Sequence, residues 1–576
     1  MKNLILLLSL IIFGKYAYTQ NITFVNADNN IPIAEVSIIS KTNANLGVIS
    51  DLNGTASLEI FSLGDTLLAM HIGFGNKSII NNESNITDTI KLTPKLYLLN
   101  EINFEDVKTP LIYNSTLYNK IRRNKIELIK SSNTADLFSK ALGINIQESQ
   151  SGGGSPNLRG MEANRLLIIV DDIPINNAIY RSGHVQSSNR INPFFIDNIR
   201  VVTGPASVVY GDGAMGGAII INTLNNESSK GVSNIIEQKY KSSSLSSSLK
   251  YLNTTSFKNL EFITAFAIEA NGNLKMGRNR LHGFTNWGNE STITKKNEQL
   301  ETKYSKYDFI QKLIIQQKAN TISLNSQFST TSDISRFDKL NDIEDGIRKY
   351  KNWYYGPQQR LAQSLKINNK NNNLISDNKS LIIAWQNHKE SRHKQKYNDS
   401  LQSNRYEDVT IMDIILDFKK SIRKADFNYG ISLRKQNVNS DANFSPTNNL
   451  LKNTTRYPDG GSKVMDAAVY TQFKYKVLKN TTIFFGERYN LNYLTARFND
   501  NSIYNLPYNE ITTNNTSLVS SILLQQKLST KITTNISYYM GYRNPNIDDV
   551  GKIFSKNDLS VVVPNENLQP ERTNNL

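Results

Sequence analysis

Tyr180, Arg181 and His184 fall within one short polar stretch, Ala178 to Gln186. A phenol, a guanidinium and an imidazole on one loop suit an anionic chelate or a haem, because Arg meets carboxylates bidentately and His can ligate or titrate. The other four histidines, His71, His282, His388 and His393, stand without neighbouring ligands in sequence and read as solvated or packing residues. His184 is open to the same reading. No His-Glu-x-x-His or Gly-x-Ser-x-Gly segment occurs, so no catalytic constellation, and no resident cofactor, is expected. Cysteine is absent, which excludes disulfide frameworks, thiolate zinc sites, a Cys nucleophile and an acylated amino terminus. The glycines from Gly211 to Gly217 could suggest a phosphate loop, but they lead into the strand-like run Ala218 to Asn222 and lack a Gly-Lys-Ser/Thr ending.

The elements that must position these residues follow from pattern. Lys2, the apolar stretch Leu4 to Phe13, and Ala17 with Thr19 have the layout of a secretory signal peptide over residues 1–20, so export is expected. Residues 21–94 alternate in short runs such as Ile22 to Val25 and Ala34 to Ile39. Asp51-Leu52-Asn53-Gly54 supplies turn chemistry, which predicts a small β-sandwich. Over 95–225 the character becomes mixed α and β. Asn133 caps a short amphipathic helix through Leu137 and Phe138, ending at Gly143. Leu166 to Val170 is apolar throughout and predicts a strand buried on both faces, ended by Asp171-Asp172-Ile173-Pro174.

The chain has 576 residues, 39% hydrophobic and 20% charged, enough for several domains with their own cores. Its mean hydropathy of -0.42 argues against a helical membrane protein. A transmembrane barrel stays open, because only alternate residues of its strands face lipid. The net charge of +16 is spread among asparagines, as in Asn368 to Asn373, with no basic stripe interleaved with aromatics; a nucleic-acid partner is not expected.

Three blocks in order, Leu158-Arg159-Gly160, Leu167 to Asp171, and Ile199 to Gly211 followed by Gly216 to Thr223, resemble the plug domain of TonB-dependent outer-membrane receptors. The resemblance singles out Arg159, Gly160, Asp171, Gly204, Pro205, Tyr210, Gly211, Gly216, Gly217 and Asn222 as plug-motif positions. Ile31 to Val36, Ser50 to Gly54 and His71 to Phe74 resemble the carboxypeptidase-regulatory-like domain found ahead of such plugs in Bacteroidetes receptors. Departures stand at Asp172, Arg200 and Thr203, where the family usually has Gly, Glu and Arg. Since plug arginines of the family commonly pair with barrel glutamates, the resemblance assigns that role to Arg159 and denies it to Thr203, implying weaker plug retention.

Residues 226–576 alternate over long segments. Ala467, Val469, Thr471, Phe473, Tyr475 and Val477 define one face, and Ala468, Tyr470, Gln472, Lys474 and Lys476 the other. Tight turns alternate with polar stretches such as Lys389 to Asp408 and Asn437 to Lys463, which are expected to be long loops. Gly541 to Asp549 and Val563 to Glu571 look like the loop-flanking boxes of the family's later barrel. Because roughly 22 strands close a plugged transporter and an open edge is not tolerated in lipid, an incomplete barrel is expected. The expected fold is thus mainly β: a sandwich, an α+β plug and part of an antiparallel transmembrane barrel.

The resemblance implies import of a scarce nutrient, of the iron-siderophore, haem or cobalamin class, powered by the inner-membrane TonB complex. Partners would be outer-membrane lipid, the small-molecule nutrient and a surface lipoprotein. Strand addition needs an accessible extended segment, and Glu101, Ile102, Asn103 and Phe104 form the candidate TonB box. Alternatives are a SusC-like glycan importer or a non-transporting adhesin or sensor.

Overall fold

The computed structural model describes residues 21–43, 45–82, 89–94, 118–140, 144–148, 150–181, 188–203, 206–225, 231–277, 294–295, 297–446, 451–500, 502–529, 532–557 and 560–576. The signal-like segment, the candidate TonB box Glu101–Phe104, His184, Gly204 and Pro205 lie outside them. The chain divides into two units, 1–104 and 105–576.

In the first unit a three-stranded sheet (Thr55–Ser57, Asn21–Asn26, Thr89–Leu92) and a four-stranded sheet (Gly47–Ile49, Ser37–Ser40, Thr66–His71, Phe74–Ile80) bury Ile22, Phe24, Val36, Ile38, Leu58 and Leu67. The alternating runs place every second apolar residue in this core. The turn works as its residues suggest: Asp51 Oδ1 accepts the Asn53 and Thr55 amides at 2.9 and 2.8 Å. Gly54 has φ +73° and lies against Phe24, whose carbonyl oxygen would be 2.5 Å from an added Cβ.

The second unit holds an α+β body and a 16-stranded antiparallel sheet. The body is built on a five-stranded sheet ordered Ile173–Pro174, Leu167–Val170, Gly217–Thr223, Ile196–Thr203, Tyr118–Arg122. Leu167–Val170 is buried at every residue, as its unbroken apolar run requires, and pairs in parallel with Ala218–Ile221. The helix Thr134–Ser139 begins at Asn133, whose side chain accepts the Asp136 amide, and Leu137 and Phe138 are fully buried. Gly217, at φ +138°, lies where a Cβ would be 2.3 Å from the Val202 carbonyl oxygen, so this strand approaches its neighbour as only glycine can.

Fourteen strands of the large sheet form an antiparallel meander from Gly231–Lys241 to Thr533–Arg543 and on to Glu571–Asn575, while the short strands Ile334–Ser335 and Tyr350–Tyr355 pair with each other, the latter also with Asn378–Lys396, off that path. Turns at 258–259, 318–319, 423–424 and 479–480 join strands at one end. The connections 272–303, 332–358, 446–461, 498–509 and 544–570 all lie at the other. Two expected loops proved shorter. Lys389–Lys396 and Gln402–Asp408 continue the strands Asn378–Lys396 and Gln402–Ile422, and Asn437–Ser445 continues Ala425–Ser445. Their polar residues suggested loops because polarity here marks the inner face of a strand.

That inner face is the informative one. In Gln402–Ile422, Glu407, Asp413 and Asp417 are buried while Met412 and Ile414 are exposed. Likewise Ala468, Tyr470 and Gln472 are buried and Val469, Tyr475 and Val477 exposed, dividing the faces as the alternation predicts. Water could not favour apolar-out, charged-in strands, whereas a hydrocarbon surround does.

Candidate functional site

The α+β body touches the sheet strand after strand. Asn192 Nδ2 donates to Glu269 Oε1 and Asp308 Oδ2, both at 2.9 Å. Lys312 Nζ lies 3.4 Å from Asp171, and Lys366 Nζ 2.7 Å from Asp172. Arg434 donates to the carbonyls of Pro174 and Asn176 at 3.2 and 2.6 Å. Arg165 makes two bonds of 2.8 Å to Glu571, which also receives Arg543. Partners spread from the strand Leu260–Asn271 to the last strand can reach one small body only if the sheet curls around it. The body is therefore a plug lodged against an inner wall.

Ala178–Arg181 lies on the side of the long connections. Tyr180 and Arg181 are buried, 4% and 6% exposed, not open on an outer loop. Arg181 Nη1 donates to Tyr457 Oη at 3.3 Å and stands 3.6 Å from Glu390 Oε1. Arg190 is 3.6 Å and Arg392 2.8 Å from the same carboxylate. Arg190 also contacts the buried His388 ring. His393 bonds Asn404 and Ser391, so neither ring stands idle. Burial pushes the Tyr180 phenol up to about 12, which keeps it a neutral hydrogen-bonding group.

A second layer ties this tip to the connections. Tyr457 Oη donates to Asp548 Oδ1 at 2.7 Å, and Asp548 pairs with Arg456 at 3.4 Å and Lys552 at 2.8 Å. Burial works to raise the Asp548 carboxyl, but Arg181, Arg456 and Lys552 hold it below the usual range. The segment after the strand Thr533–Arg543 crosses the plug. Asn544 N–H donates to Asp212 Oδ1 at 2.8 Å, Asn546 Nδ2 to the Tyr180 carbonyl, and Ile547 N–H to the Ala178 carbonyl at 2.9 Å. The short helix Ile547–Val550 starts with a capping box between Asn546 and Asp549, which fixes its approach.

Between plug and wall lies a cavity of about 140 Å³ lined by Asp212, Asp413, Arg434, Asp466, Arg488 and Tyr542, among others. The amide oxygens of Asn164, Gln436, Asn492 and Asn544 around it have no protein hydrogen-bond partner among the described residues. These unpartnered oxygens and its size suit several waters, each needing about 10–15 Å³ of such space. Burial, with Asp466 alongside, pushes the Asp212 carboxyl up to about 7.

Of the expected plug positions, Asp171 is a wall contact and Tyr210 packs near Phe484, Leu523 and Tyr539. Gly211 lies against the Arg488 guanidinium, Gly216 against Met161, and Asn222 Nδ2 donates to Asn198 at 3.1 Å. Arg159 and Gly160 are exposed at positive φ, 52° and 86°. Arg159 makes no ion pair among the described residues, whereas Arg165, Arg181 and Arg190 reach Glu571 and Glu390. The sequence carried no signal for Arg165, since its partner lies about four hundred residues away.

Residues 114–218 match the family model for the TonB-dependent Receptor Plug Domain. Over 130 residues the chain is 31% identical to a vitamin B12 transporter, BtuB, of Vibrio vulnificus, covering 22% of this chain and 20% of that one. Over 104 residues it is 36% identical to the haem transporter BhuA of Brucella ovis, covering 17% and 15%. In structure it is similar to the ferric yersiniabactin uptake receptor FyuA of Yersinia pestis, with TM-score 0.57, 14% identity, and 75% and 65% of the chains covered. It is also similar to the siderophore receptor PirA of Acinetobacter baumannii, with TM-score 0.58, 16% identity, and 79% and 67% covered. The matched region thus spans about a fifth or less of the curated relatives, and the chain spans about two thirds of these solved receptors. The body inside the sheet matches the TonB-dependent receptor plug domain over residues 114–218, and plug and wall together share the fold of the solved β-barrel receptors FyuA and PirA.

Proposed function

We propose that the chain is the plug and much of the barrel wall of an importer that carries a scarce small-molecule nutrient, of the iron-siderophore, haem or cobalamin class, across the outer membrane. The observation that carries this reading is a plug domain held by ion pairs to successive inward faces of an apolar-out barrel sheet. A wide pore needs filling to prevent leakage, and a filled pore transports only if its filling moves. The outer membrane has no nucleotide supply, so the work comes from the TonB complex drawing on Glu101–Phe104 by strand addition. The signal-like residues 1–20 direct export. The sandwich 21–94 is read as the carboxypeptidase-regulatory-like domain, 95–225 as the plug and 226–576 as barrel. The network of Tyr180, Arg181, Arg456 and Asp548 lies beneath the long connections, where an arriving anionic chelate would first exchange with the existing ion pairs.

The test is growth-linked uptake by the full-length receptor supplied with iron chelates, haem, cobalamin or a glycan. One of the first three should support import, and deletion of Glu101–Phe104 should abolish it while the barrel still reaches the membrane. Import of only the glycan would favour the SusC-like alternative. Undiminished activity after the deletion would contradict the importer reading.

A further inference from the structure

The hairpin turn Asp171–Asp172 joins Leu167–Val170 to Ile173–Pro174 with both residues at positive φ, 48° and 69°. Aspartate tolerates this region better than most side chains, though glycine enters it more freely. What sets this turn apart is what its carboxylates meet. Asp171 Oδ2 accepts Asn325 Nδ2 at 2.9 Å and Gln327 Nε2 at 3.0 Å, and lies 3.4 Å from Lys312 Nζ. It also ties back to its own sheet through the Thr223 hydroxyl at 2.6 Å. Asp172 Oδ2 meets Lys366 Nζ at 2.7 Å. Lys312, the amide pair and Lys366 sit on three adjacent strands, Tyr304–Gln317, Asn320–Thr331 and Gln359–Asn369. The Lys312 and Asp172 side chains are 9% and 8% exposed, so a lost partner leaves a charge in a poorly solvated place.

Polarity distinguishes this contact. At Glu390 and Glu571 the plug supplies the cation and the wall the anion. At Asp171 and Asp172 the plug supplies the anion and the wall the cation. We propose that Asp172 and Lys366, supported by Asp171 and Lys312, are positioning residues that fix the rotational register of the plug against the wall. With contacts of a single polarity, a plug turned about its axis could still pair. With both polarities, turning sets like charge against like, and one orientation satisfies every pair. Its consequence for transport rests on the importer reading: this latch must open whenever the plug is displaced.

Hydrogen–deuterium exchange on the full-length receptor in detergent tests it, read on peptides covering residues 165–175. Asp172→Asn and Lys366→Met should each speed exchange there by about fivefold or more, the factor for roughly 1 kcal/mol. The double variant should be no faster than either single one, and Lys366→Arg should match the parent. Asp172→Gly, which suits the backbone, should loosen the hairpin equally with the barrel peptides unchanged; it guards against a variant that merely fails to fold. Unchanged exchange in Asp172→Gly, or effects of the two single variants that multiply, would overturn the latch. Uptake does not enter this readout, so loss of the importer reading would leave the latch standing, and the reverse.

Discussion

Among the described residues, positive charge converges most on Glu390. Three guanidinium groups, from Arg181, Arg190 and Arg392, lie within 3.6 Å of a carboxylate that is 9% exposed. Removing one partner from a buried ion-pair group leaves the others uncompensated. Glu390→Gln should therefore destabilise the plug–wall contact by about 3 kcal/mol, seen as a lower denaturant midpoint for exchange of plug peptides in detergent. Asp212 gives a pH dependence of defined sign. Burial, with Asp466 alongside, pushes its carboxyl from an ordinary 3.8 up to about 7. The folded state thus binds the proton more tightly, and stability is full below about pH 4 and falls as pH rises through 7. Asp212→Asn keeps the acceptor for the Asn544 amide and removes the titration. The variant should unfold at higher temperature than the parent at pH 8, and the gain should vanish at pH 4. A constant difference across pH would contradict this.

At the scale of elements, legibility depended on whether a signal was local. Asn133 capped its helix, Leu167–Val170 formed a buried strand and residues 462–478 split into two faces, because cap, apolar run and alternation are each set within a few residues. Lys389–Asp408 was misread for a physical reason: a barrel strand carrying Glu390, Arg392 and Glu407 on its inner face has a loop's composition. Tyr180 and Arg181 were legible as chemistry but not as burial, since Glu390, Tyr457 and Asp548 that enclose them are hundreds of residues away. The helix Ile547–Val550 and its cap join the plug tip to the connections. Asn546→Ala removes the cap and the bond to the Tyr180 carbonyl, so it should cost about 1 kcal/mol locally and raise exchange at 178–181 and 547–551 together. Faster exchange in only one of these segments would show that they are not coupled.

At the scale of the whole molecule, two surfaces define the design, one apolar towards the surround and one charged towards the plug. Ile414 is 44% exposed beside the buried Asp413. Ile414→Lys should lower barrel stability in lipid by about 2–4 kcal/mol if that residue lies at mid-membrane, and have little effect in water-exposed connections such as Asp500→Lys. Refolding into vesicles would report the difference. The plug meets the inner surface through ion pairs and the cavity beside Asp212 and Arg488, and also through shared apolar clusters such as Leu167, Ile169 and Val209 with Phe484 and Leu523, so displacing it costs charge pairing and apolar burial together. Such a plug needs work done on it. The most direct measurement is accumulation of a labelled nutrient by cells expressing the full-length receptor, before and after a protonophore collapses the inner-membrane gradient. Accumulation that stops with the gradient while surface binding persists is the result expected of an energised plug. Accumulation that continues undiminished would mean that nothing moves the plug, and would contradict it.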